Sequence, residues 1–99
     1  MIVEFEAELI SWRGPAPFVF APTPPEISET ILTVSKHVTY GWGVIPATVR
    51  IGQCTFTTSL FPREGCYLVP VKVAVQRTER LNVGDRVAMS LELRLATPP

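Results

Sequence analysis

The sequence has little of what usually supplies reactive chemistry, and it has no excess of charge of either sign. Its 99 residues include two cysteines and one histidine, and nine basic side chains balance nine acidic ones. Zero net charge argues against strong non-specific binding of DNA or RNA, whose affinity comes mainly from neutralised phosphates. The six glycines are scattered, and they form no phosphate-binding loop or nucleophile elbow. We therefore expect no cofactor and no catalytic residue.

Long hydrophobic runs are also missing. No stretch approaches the roughly 20 apolar residues that span a bilayer. The N-terminus alternates apolar with acidic residues, whereas a secretory signal needs a basic start and an unbroken apolar run. These patterns predict a cytoplasmic protein with no membrane partner.

The two cysteines, Cys54 and Cys66, are predicted to be reduced thiols. On the expected hairpin, Cys66 lies opposite residue 61, which puts Cys54 on the order of 23 Å away. A disulfide needs Cα atoms within about 7 Å. A zinc site needs about four ligands, and His37 adds only one, so no metal is expected. A catalytic Cys–His pair is also weighed, but both cysteines lie in strand patterns that favour buried thiols.

The sequence does contain a series of strand patterns, which we assign to a single domain over residues 1–99. The tail is expected to fray from about residue 96. Apolar residues make up 46% of the chain, and ten residues are proline. Period-two alternation or short apolar runs predict about six strands, at 3–12, 18–20, 44–51, 54–61, 66–69 and 87–95. So many strands in so short a chain predict a mainly β fold, a small closed or partly open barrel.

Two short helices are expected beside the strands. Thr23 is predicted to cap the first, with Pro24 in its first turn and Glu26 completing a capping box. Its apolar stripe places Ser28 on the outer side, and it should end near Lys36. Residues 71–81 fit either a strand or a helix, and the polar run after Val75 favours a short helix.

An ordered set of short motifs resembles a known family. The set begins with residues 5–9, continues through Gly41-Trp42-Gly43 and 58–62, and ends with 84–87. It resembles the bacterial family called domain of unknown function 1905 over residues 2–95. The resemblance implies a double-split β-barrel and supports a helix at 71–81, but it implies no activity.

The strongest candidate for a binding site is the aromatic segment around Trp42. An aromatic side chain between two glycines could lie exposed on a loop, with Tyr40 beside it. Arg13, Arg50 and Lys72, together with Arg63, could converge there and bind an anionic or aromatic ligand. The alternative is that Trp42 closes one end of the barrel as part of the core.

A second feature is a row of carboxylates, Glu4, Glu6 and Glu8, on one strand face. They could serve acid–base chemistry or hold a cation. The simpler reading is a set of cross-strand ion pairs on a wet surface, with Arg86 or Arg94 opposite.

These observations favour a non-enzymatic binding or structural module. The expected partners are a second copy of the chain, an unknown protein or a small anionic ligand. Pro46 and residues 18–20 are predicted to lie at strand edges where a second copy could dock. One alternative is a nucleic-acid-binding regulator, by analogy with other barrels. Another is a small-molecule binder or minor enzyme that uses Trp42 with Arg50 and Lys72.

Overall fold

The computed structural model describes residues 2–12, 18–38 and 45–93. These residues are mainly β, as the sequence predicts. The elements, in chain order, are β1 (Ile2–Glu8), β2 (Ile10–Trp12), β3 (Phe18–Pro22), α1 (Pro25–Val38), β4 (Ile45–Ile51), β5 (Cys54–Arg63), β6 (Cys66–Val71), α2 (Val73–Thr78) and β7 (Arg86–Leu93).

The strands form one sheet that curls into a partly open barrel. Their order is β1-β7-β4-β5-β6-β3-β2, and the described pairings are antiparallel. The two ends of this order, β1 and β2, are separated in the chain by Leu9 alone. The described residues therefore form seven strands where six were predicted, because the segment predicted as one strand at 3–12 supplies both β1 and β2.

Leu9 is the corner at which the first strand changes partners. Before it, β1 pairs with β7; after it, β2 pairs with β3. The Leu9 amide donates to the carbonyl of Asp85 at 2.9 Å, and the Gly84 amide donates to the carbonyl of Leu9 at 2.8 Å. The side chain is buried in the core. The corner thus forms without leaving buried backbone groups unpaired.

The barrel interior is filled by alternate residues of the strands. The apolar residues that alternate along β4 are all buried, from Ile45 to Ile51. Those that alternate along β7 are also buried, from Val87 to Leu93. Leu95 lies outside the described residues. The pleat sends successive side chains to opposite faces, so the outer faces of the same strands carry the polar residues.

Helix α1 packs on β6, but its start differs from the expected capping box. The helix begins at Pro25, and the Thr23 side chain accepts a hydrogen bond from the Tyr67 amide at 3.1 Å. Thr23 Oγ1 also lies 2.6 Å from Ser28 Oγ, and both side chains are buried. Ser28 was predicted on the outer side; it is buried because it bonds Thr23. The helix ends at Val38, two residues beyond the predicted end.

Neither helix of the described ranges has the length and apolar character that crossing a bilayer requires. Helix α2 confirms the helical interpretation of residues 71–81, although it is shorter than predicted.

Two tight turns set the registers of the central strands. Gly52 joins β4 to β5 with φ +57°, as predicted, and Gly65 joins β5 to β6 with φ +80°. The second turn contains two residues where four were expected, so Cys66 pairs with Arg63 and not with residue 61. Both cysteines are free thiols, which confirms that prediction.

The two strands predicted to expose edges are interior. Strand β4, which contains Pro46, lies between β7 and β5, and β3 lies between β6 and β2. Pro46 is tolerated near the end of its ladder, since the described pairing of β4 with β7 begins at Ala47. A homodimer stays a prediction, but these strand edges are not available to form it.

Replacing Thr23 by valine tests the junction of α1 with β6. We expect a loss of about 2 kcal/mol in the free energy of unfolding, because a buried amide and hydroxyl lose their partner. Thr33→Val is the matched control: the Thr33 hydroxyl bonds the Glu29 carbonyl at 3.0 Å on an exposed surface, and its removal should cost less than about 0.5 kcal/mol. Equal losses in urea denaturation would contradict this assignment.

Alanine at Gly52 and at Gly65 should have unequal effects. Both positions have positive φ, which costs an L-residue about 1 kcal/mol or more. A Cβ at Gly52 would also collide with the Glu79 carboxylate, whereas a Cβ at Gly65 meets nothing nearby. Gly52→Ala should therefore lose about 1 kcal/mol more than Gly65→Ala. When both substitutions are made in a Glu79→Ala background, Gly52→Ala and Gly65→Ala should cost the same free energy of unfolding, as measured by urea denaturation.

Candidate binding groove

A groove crosses the outer face of β1, β7 and β4. Its floor contains Ala88 and Ser90, which are the small outward side chains of β7. Glu4 and Glu6 line it on the β1 side, and Arg50 lines it on the β4 side. Its volume is about 550 Å³. Large side chains on both flanks of a small-residue floor create the depression.

Opposite charges face each other across this floor. Glu4 pairs in register with Ser90, and Ser90 pairs in register with Arg50. Since neighbouring strands lie about 4.8 Å apart, the Cα atoms of Glu4 and Arg50 are about 10 Å apart. Neither side chain forms an ion pair with another described residue. A carboxylate, a hydroxyl and a guanidinium are therefore arranged in one line.

The end of the groove near Glu6 is occupied by an ion pair. Arg86 Nε lies 3.1 Å from Glu6 Oε2, which confirms that the glutamate row lies beside Arg86. Arg94 lies outside the described residues. Both partners are more than half exposed, so the pair adds little stability. It does neutralise Glu6, which leaves Glu4 as the carboxylate facing Arg50.

The predicted site residues are not all brought together. Arg50 lines the groove, but Tyr40, Trp42 and Arg13 lie outside the described residues. Lys72 lies elsewhere, directly before α2.

The ammonium group of Lys72 lies over the ring of Phe56, 5.9 Å from its centroid. Phe56 is buried and pairs with Val49, whereas the exposed Arg50 pairs with Thr55. Successive residues point to opposite faces of a strand, so Arg50 and Lys72 belong to different faces of the β4–β5 ladder. Their expected convergence at the Trp42 segment stays a prediction, because that segment lies outside the described residues. The Lys72–Phe56 contact is a cation–π interaction.

Ala88 and Ser90 line the groove, although the sequence analysis, which considered reactive, charged and aromatic side chains, did not predict either as a site residue. A signal was present in the sequence, because they are the smallest members of the outward-facing set of β7. Small residues between charged ones on the solvent-facing side of a strand indicate a depression in the surface. The residues that flank this depression can be identified only when the neighbouring strands are known.

The profile of a known family, described as "Domain of unknown function (DUF1905)", matches residues 5–91. The chain belongs to this family. The matched region contains Arg50 and the floor of the groove, while Glu4 lies just before it. A comparison with curated proteins finds no match.

One long-range contact joins the C-cap residue of α2, Glu79, to the β4–β5 turn. Glu79 Oε2 accepts a hydrogen bond from the Gln53 amide at 3.3 Å and one from Cys54 Sγ at 3.5 Å. Burial raises the pKa of the Cys54 thiol, and the hydrogen bond and negative charge of Glu79 raise it further. A hydrogen bond with Thr78 lowers this pKa. The thiolate needed for a cysteine nucleophile is therefore disfavoured at Cys54.

Among the described residues, His, Cys, Asp and Glu side chains form no group of three that could hold a metal ion. The side chain of His37 lies outside the described part of the chain. The hypothesis of a catalytic pair between this histidine and a cysteine is therefore not tested.

Alkylation of Cys54 should respond to the charge of Glu79. In a Cys66→Ser background, Glu79→Gln should lower the pKa of Cys54, because the negative charge that opposes thiolate formation is removed. A lower pKa gives a larger thiolate fraction at pH 8, so iodoacetamide should react faster. Mass spectrometry of the pH profile checks this. If the midpoint of the alkylation pH profile is unchanged or higher, the assigned role of Glu79 is contradicted. Glu64→Gln serves as a control, because Glu64 follows the opposite end of β5 from Cys54.

Proposed function

We propose that this domain is a non-enzymatic binding module that recognises a small zwitterion in the groove over Ala88 and Ser90. The ligand class is a molecule that carries an ammonium group and a carboxylate, as amino acids and short peptides do. The observation that carries the proposal is the line of Glu4, Ser90 and Arg50 across three paired strands.

Each group in this line has a complementary partner in such a ligand. The Glu4 carboxylate accepts hydrogen bonds from an ammonium group, and the Arg50 guanidinium donates two parallel hydrogen bonds to a carboxylate. The Ser90 hydroxyl between them can donate or accept. Since Glu6 already pairs with Arg86, Glu4 provides the available negative charge.

The charge of the surrounding face supports a zwitterion over a polyanion. The described outward residues of β1, β7 and β4 include four carboxylates, at Glu4, Glu6, Glu8 and Glu92, and two guanidiniums, at Arg50 and Arg86. An excess of negative charge repels a phosphate backbone. A nucleic-acid-binding role for this face is therefore disfavoured.

The groove is exposed, so the expected affinity is modest. Exposed ion pairs contribute about 1 kcal/mol or less each, so the two pairs together supply no more than about 2 kcal/mol, which corresponds to a Kd on the order of 30 mM. Recognition of this strength suits a ligand that is abundant, or one that is part of a longer chain with further contacts.

Titration of the isotopically labelled protein with the twenty free amino acids and glycylglycine tests the proposal. At least one ligand should shift the amide resonances of Ala88 and Ser90 saturably. Arg50→Gln should weaken binding about fivefold, the equivalent of one lost ion pair. Ala88→Val should abolish binding by filling the floor without loss of stability, since valine favours strands.

Arg77→Gln is the matched control, because it removes an exposed arginine outside the groove and should leave the affinity unchanged. The proposal fails if no ligand of the panel shifts these amides saturably. It also fails if Arg50→Gln and Arg77→Gln have the same effect.

A further inference from the structure

A second groove lies at the end of α2, where two exposed arginines form no salt bridge with another described residue. Arg77, Arg80, Gln76 and Asn82 provide its polar lining, and Val73 and Leu81 provide its apolar lining. Its volume is about 360 Å³. It shares no lining residue with the groove around Arg50.

The Glu79 carboxylate points away from the two arginines. Glu79 is the acid between them in the sequence, and its carboxylate contacts Gln53 and Cys54 at the β4–β5 turn. Within the described ranges, neither Arg77 nor Arg80 forms a salt bridge. The nearby Asp85 carboxylate accepts a hydrogen bond from the Asn82 amide at 2.8 Å and does not line the groove.

Arg80 occupies a backbone position that favours glycine. Its φ is +55°, and it follows the C-cap residue of α2. The Leu81 amide donates to the Gln76 carbonyl at 2.8 Å, and the Arg80 amide donates to the Arg77 carbonyl at 3.3 Å. These two bonds form a Schellman motif, in which glycine is the usual residue at the position of Arg80. Backbone strain of this kind is concentrated at functional sites.

We propose that this groove binds a phosphate group of a small molecule. Two guanidiniums supply planar forks that match phosphate oxygens and can neutralise a dianion. The Asn82 side-chain amide can donate a further hydrogen bond, and Val73 and Leu81 provide apolar surface for a small organic body. A monocarboxylate carries half the charge of a phosphate dianion, so it binds more weakly here.

The backbone of α2 does not attract a phosphate group to this groove, and it repels one only weakly. A helix C-terminus repels anions through its exposed carbonyls. Here the carbonyls of Val75, Gln76 and Arg77 accept hydrogen bonds from the amides that follow the six-residue helix, those of Glu79, Leu81 and Arg80 respectively. Binding therefore depends on the arginine side chains, and that dependence makes the proposal testable.

Titration of the labelled protein with potassium phosphate at pH 7.5, with ionic strength held constant by potassium chloride, tests the site. We expect saturable shifts of the amides of Arg80, Leu81 and Asn82, and much weaker shifts with potassium acetate. Arg80→Gly should weaken phosphate binding about tenfold, the equivalent of one lost charge-assisted hydrogen-bonded contact. This variant should be at least as stable as the parent, because it relieves the positive φ, so misfolding cannot account for the loss.

Arg77→Gln should weaken binding to a similar degree, and Arg50→Gln should have no effect. This pattern separates the phosphate site from the proposed zwitterion groove, since each proposal can fail while the other holds. The proposal is overturned if phosphate produces no saturable shift, if acetate acts equally well, or if Arg80→Gly binds as the parent does. A single-stranded oligonucleotide that binds far more tightly than phosphate at these residues would also overturn it, in favour of a nucleic-acid surface.

Discussion

The architecture depends on the change of strand partner at Leu9. A flat sheet of these strands would have two separate exposed edges, but here one chain segment supplies both ends of the sheet. The change is possible because Asp85 and Gly84 take up the backbone groups of Leu9 while its side chain enters the core. This corner brings β1 beside β7, and the groove between Glu4 and Arg50 follows from that pairing.

The pleat then determines which polar residues share a surface. Arg50 and Thr55 point outward, whereas Val49 and Phe56 point into the barrel. Arg50 and Lys72 therefore belong to different faces of the β4–β5 ladder. Lys72 covers Phe56 at one side of the β4–β5 ladder, and Arg50 lines a groove on the other. A small barrel with a filled interior is left with its outer surface for binding.

Glu79 links three features that look unrelated in the sequence. Its carboxylate holds the turn at Gln53 and disfavours ionisation of Cys54. Because it points there, it forms no salt bridge with Arg77 or Arg80. The space it occupies over Gly52 exists only because that residue has no Cβ. A single long-range contact thus ties a tight turn to a helix and shapes the charge of the surface between them.

From the amino-acid sequence alone we predict the strand-forming segments, a helix at 71–81, two reduced cysteines, and Arg86 or Arg94 beside the glutamate row. Each of these follows from local periodicity, turn chemistry or complementary charge. Contacts between distant parts of the chain determine that Ser28 is buried, that Pro46 lies in an interior strand, and that Arg50 and Lys72 belong to different faces of the β4–β5 ladder. Those outcomes depend on which distant strand or side chain becomes a neighbour, as with Thr23 and Tyr67. Alternation along a strand predicts two faces, but it does not say what lies beside either of them.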